Sequence, residues 1–113
     1  MSWYVLVERD RYGESERPSK IPVEGGREAA VTRAEEIARS CTPTMHLSGT
    51  SIGRMVLQTS PTSWFVELSK SLWSKSDKGP TTIVEHVTVR AAELVHFQEL
   101  IPAEPPKKSR FGR

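Results

Sequence analysis

The side chains best suited to chemistry in this 113-residue chain are three histidines, one cysteine and a carboxylate–imidazole neighbour pair. Glu85-His86 has the residue types of general acid–base catalysis. Both fall in a segment that reads as strand, where neighbours point to opposite faces, so the two cannot work on one substrate atom. His86 instead meets Glu67 across the sheet if the third and fourth strands pair in that register, giving a cross-strand ion pair on a wet face. The other histidines, His46 and His96, fall in a connection and in the helix expected near the C-terminus, and no His-x-x-x-His or Cys-x-x-Cys spacing occurs. The pattern therefore gives no metal site and no catalytic residue. Cys41 closes a helical stretch at its negative end. A thiolate is stabilised at the opposite end, so the expectation is a buried structural thiol. The serine-rich stretches 48–51 and 69–76 lack a Gly-x-Ser-x-Gly elbow. Gly25-Gly26 lacks phosphate-loop and dinucleotide spacing, and the neighbouring Glu24 repels anions, so the glycines read as a helix entry and no cofactor is implied.

The elements that would position these groups follow from periodicity. Ala30, Ala34, Ile37, Ala38 and Cys41 recur on one face of a 3.6-residue period, which predicts an amphipathic helix over 27–40, stopped by Pro43. Glu35 and Arg39 are an i, i+4 pair on its outer side. The segments 3–8, 52–59, 63–71 and 82–88 are rich in β-branched and aromatic residues and read as strands. The strand over 63–71 carries the clearest alternation, with Trp64, Val66 and Leu68 on one side and Phe65, Glu67 and Ser69 on the other. Ile21-Pro22-Val23 reads as a short edge segment, since Pro22 cannot donate to a ladder. Thr88 as N-cap with Ala91, Leu94 and Val95 on one face predicts a second helix over 89–98, ended by Pro102.

The expected fold is α+β. It is one domain over 1–101 in the order β-α-β-β-β-α, an antiparallel meander covered on one face by the long helix. Met55 and Leu57 are expected to join Trp64, Val66 and Leu68 beneath that helix. The opposite face would then present Arg54, Val56, Phe65, Glu67, Val84 and His86. That mixed patch is too apolar to be merely solvated unless the second helix covers it, and it is the candidate interaction surface. Trp3 and Trp73 lie near strand ends, where the favoured expectation is that they close the ends of the core; exposed there, they would suit a protein partner or base stacking.

Composition bounds the classes of function. A chain of this length with 36% apolar residues supports one lean core. A single cysteine rules out an internal disulfide framework and favours a reducing compartment. The short apolar N-terminal run has neither a basic flank nor spanning length, so the expected location is cytoplasmic, with no membrane partner. Four of the basic residues crowd into 102–113 with one acidic residue, a segment charge of +3 in a chain of net charge +2, so the rest carries −1. That tail also has three prolines and reads as disordered.

The α-β-β-β-α order expected over 27–98 resembles that of a double-stranded-RNA-binding domain, in element order alone. The resemblance implies RNA binding through the second helix. That family opens this helix with a lysine cluster, and Val89-Arg90-Ala91-Ala92-Glu93 offers one basic residue at the corresponding place.

Three functional expectations follow. The leading one is a non-enzymatic protein–protein interaction or regulatory module, with a second copy as the simplest partner. The next is weak, salt-sensitive nucleic-acid binding through the tail residues Lys107, Lys108, Arg110, Phe111 and Arg113. The last is a ligand-binding protein or enzyme with a helix–sheet pocket using His86, Glu67 or Arg54.

Overall fold

A computed structural model describes residues 2–11, 14–15, 17–44, 51–73 and 79–106. The α+β class and single domain are as expected. Strands β1 (Trp3–Arg11), β2 (Glu14–Ser15) and β3 (Ser19–Val23) precede helix α1 (Arg27–Ser40), and β4 (Ile52–Ser60), β5 (Ser63–Leu72) and β6 (Thr81–Glu93) follow it. All pairings are antiparallel. The sheet runs β4-β5-β6-β1, and β2 and β3 share the outer edge of β1.

The helix forms where its stripe predicts, and Ala30, Ala34 and Ala38 are its fully buried residues. It lies over β1, β5 and β6. Methyl-sized side chains let its backbone approach the sheet closely. Beneath it are Val5, Trp64, Val66, Leu68, Val87, Val89 and Ala91, with Trp3 and Ile37 at the margin. Entry depends on Gly25, whose φ of +107° favours glycine, and a Cβ there would stand 2.9 Å from that of Ala29. Glu35 and Arg39 pair at 3.8 Å as the spacing predicts.

Two expectations are corrected. The second helix is absent, and β6 runs unbroken to Glu93. Residues 94–106 have no helix or strand. The helical spacing of Ala91, Leu94 and Val95 is overridden because β1 needs a partner along its whole length. The ladder pairs Trp3 with Glu93 at one end and Arg11 with Glu85 at the other. The element order of a double-stranded-RNA-binding domain is lost with that helix.

The second correction concerns β4. Val56 lies opposite Val66, Arg54 opposite Leu68 and Gln58 opposite Trp64, so these three residues of β4 take the helix side. Met55 and Leu57 therefore point to the uncovered face. The cause is a one-residue irregularity between Gln58 and Ser60. Counted back from the Ser60–Ser63 pair without it, Leu57 would face Val66 and Met55 would face Leu68, as the alternation predicts. One extra residue moves the whole strand to the other side. Hydroxyls hold the distortion: Ser63 Oγ lies 2.7 Å from Thr59 Oγ1 and 2.6 Å from Ser60 Oγ, and the Thr62 N–H donates to Ser60 Oγ at 3.1 Å.

Candidate interaction surface

The six residues expected on one surface divide between two. Phe65, Glu67, Val84 and His86 lie on the uncovered face, while Arg54 and Val56 lie on the helix side. Val56 packs partly against the core. Arg54 donates from Nε and Nη2 to the Cys41 carbonyl at 3.0 and 2.7 Å.

Arg54 belongs to a polar clamp on the 41–44 connection after α1. Arg9 donates to Thr42 O at 3.1 Å and Lys70 Nζ to Thr44 O at 2.9 Å. Glu85, only 5% exposed, accepts from Arg9 at 2.7 Å and from the Thr44 N–H at 3.1 Å. Cations thus gather at the negative end of the helix, and one carboxylate balances them from the core side. Sequence reasoning missed this group. Its signal was Glu85 itself, a charge at a position where the alternation of Val87, Val89 and Ala91 demands a buried residue. Cys41 lies within the clamp, half-buried, with its Sγ 3.5 Å from Ala38 O. Burial pushes its thiol pKa above the ordinary value, against the smaller opposing pull of Arg9 and Arg54. That environment is the reverse of one that activates a nucleophile.

On the uncovered face, Glu67 and His86 stand opposite each other in the β5–β6 ladder, and their side chains approach to 3.3 Å. The Phe65 ring leans on that of His86 with centroids 5.2 Å apart. Phe65 and His86, with Glu8, Asp10 and Thr88, line a depression of about 190 Å³. Arg90 pairs with Glu8 nearby. Arg54 lies across the sheet from this depression, so His86, Glu67 and Arg54 do not share a pocket under the helix. His96 lies apart, on the exposed stretch after β6. His46 and the tail residues Lys107, Lys108, Arg110, Phe111 and Arg113 lie outside the described residues. Among the described residues no three His, Cys, Asp or Glu side chains gather as a metal-binding group. No helix among them is long and apolar enough to cross a membrane.

Elsewhere on this face large apolar side chains stand exposed, with Glu67 and Ser69 between those of β4 and Val84 of β6. Met55 is 48% exposed, Leu57 46% and Val84 43%. At its far side Tyr4, Leu6, Ala92 and Phe97 line a groove of about 390 Å³. Trp64 is core, Trp3 is partly buried, and Trp73 stands exposed at the end of β5.

The two edges of the sheet differ. On one, β3 carries Lys20 and Pro22, which discourage further pairing. On the other, β4 offers nine residues without proline, and its single charge, Arg54, is engaged with Cys41. Among the described residues no strand pairs with the outer side of β4. No protein-family model, curated protein or solved structure matches the chain.

Proposed function

We propose that the protein is a non-enzymatic interaction module that works through protein contact, with a second copy of itself as the first partner. The observation that carries this reading is the exposure of Met55 and Leu57, the latter beside Phe65, on an uncovered sheet face at the unguarded edge of β4. The register irregularity keeps two large side chains in water that an unbroken hairpin would have buried. Exposed apolar surface beside an unpaired strand is an aggregation hazard unless something covers it. A two-fold contact between copies covers both exposed pairs at once. A cytoplasmic location accompanies this reading, in keeping with a lone half-buried thiol.

The double substitution Met55→Lys with Leu57→Lys tests it. Both side chains are about half exposed, so the fold should survive, with an unfolding free energy within roughly 1 kcal/mol of the unaltered chain. Light scattering should give a dimer for the unaltered chain and a monomer for the variant. A variant that dimerises as well as the parent would refute the assignment of the contact to these residues.

A further inference from the structure

We infer that residues 94–101, Leu-Val-His-Phe-Gln-Glu-Leu-Ile, form a donor strand that adds to the free edge of β4 in a second copy. The inference rests on the self-association reading above and specifies how it is achieved.

The segment is strand-like in composition, and among the described residues it pairs with no strand beyond Leu94. Its first residue makes the last backbone hydrogen bond of the described chain, Leu94 N–H to Ser2 O at 2.8 Å. Beyond it the side chains stand in water. Phe97 is 75% exposed even where it lines the groove with Tyr4 and Leu6, and Leu100 is 86% exposed. Val95 and Ile101 are comparably open. Pro102 then ends the stretch, because it cannot donate to a ladder.

The β4 edge supplies what the segment lacks. The outer side of β4, nine residues long and paired only toward β5, matches the length of an arm whose residues after Leu94 pair with no strand among the described residues, and main-chain hydrogen bonding of this kind provides affinity in strand addition. Alternate arm residues form one set of Val95, Phe97, Glu99 and Ile101 and another of Leu94, His96, Gln98 and Leu100. The first set, the more apolar, would lie beside Met55 and Leu57 on the uncovered face.

The arm's own β4 is a poor acceptor. The arm leaves from the end of β6, with β5 and β4 between it and the free edge. Crossing to that edge covers about three strand spacings, roughly 14 Å, out of the roughly 26 Å that eight extended residues span. About half the pairing would be lost. A second copy presents its whole edge, and reciprocal exchange of two arms closes a two-fold dimer with no strand left over.

The test uses the full chain and its Phe97→Asp, Ile101→Asp variant, both in the set placed beside Met55 and Leu57. Both sites are solvent-exposed, so equal unfolding midpoints are expected. Light scattering reads the mass, and amide hydrogen exchange reads 52–60 at high and low protein concentration. The unaltered chain should dimerise with concentration-dependent protection on β4. The variant should dissociate roughly tenfold or more readily, as expected for a loss of about 1.4 kcal/mol or more, and should lose that protection. A variant that dimerises normally, or β4 amides that ignore concentration in a dimeric chain, would overturn the donor strand and leave self-association standing. An unaltered chain that stays monomeric would overturn both.

Discussion

Replacing Glu85 with alanine should lower the unfolding free energy by about 3 kcal/mol, a large fraction of the stability of a domain this size. The carboxylate is nearly dry, and it serves an Arg9 guanidinium and the Thr44 N–H together. Truncation leaves the amide without that acceptor and the guanidinium without its counter-charge. Arg9 is itself 27% exposed, so water recovers part of its loss, which places the expectation at the lower end of the range for broken buried pairs. Glu85→Gln keeps an acceptor for Thr44 and should cost about half as much. Denaturant unfolding of both variants checks the order. An alanine variant within about 0.5 kcal/mol of the parent would mean that the clamp does not hold the connection.

The second large effect is expected at Ala34. It is fully buried at the middle of the helix face, flanked by Ala30 and Ala38 one turn away on each side. Leucine there adds three carbons where the helix backbone is held against β6 and β1. The helix must lift, or the side chain must leave its preferred rotamer, at a cost of about 2 kcal/mol. Thr32 is exposed on the same helix, and Thr32→Leu should change stability by less than about 0.5 kcal/mol. Equal stability of the two leucine variants would show that the space under the helix is not tight. Neither the Ala34 nor the Glu85 substitution touches the uncovered face, so both should alter folding without redirecting association.

The helix was legible because every signal for it agrees: a glycine entry, an alanine stripe at helical spacing and a proline stop. The strand β5 was legible because Trp64, Val66 and Leu68 alternate without interruption. The remaining elements were obscured by particular residues. In β6, Glu85 occupies a core position and breaks the apolar alternation, while Ala91 and Ala92 favour helix locally. Only the need of β1 for a long partner decides the matter, and that need is tertiary. In β4, both faces carry apolar residues, so the hairpin register decides which are buried. A single extra residue at Thr59 reverses the answer, and a turn such as Ser60-Pro61-Thr62 does not announce it.

The candidate surface was legible in part for the same reason. Phe65, Glu67, Val84 and His86 are where the alternation of β5 and β6 puts them. Arg54 and Val56 exchanged faces with Met55 and Leu57 when the register moved. The exchange strengthens the case for contact, since the open face gains two large apolar side chains and gives up an arginine that the helix end requires. The clamp of Arg9, Arg54, Lys70 and Glu85 was not legible, because its members are far apart in sequence and bind backbone groups of a connection whose path the sequence does not specify: the three cations its carbonyls and Glu85 the Thr44 N–H.

If this chain works by contact with a second copy through an apolar face and an unpaired edge, its mass in solution must show the pair. Light scattering of the unaltered full-length chain, over a range of concentrations and at both physiological and high salt, tests it most directly. A contact made of apolar side chains and main-chain hydrogen bonds should hold in high salt, whereas one made by the basic tail should weaken as its charges are screened. The predicted result is a mass twice that of one chain in both salts. A single-chain mass at every concentration, in either salt, would rule that contact out.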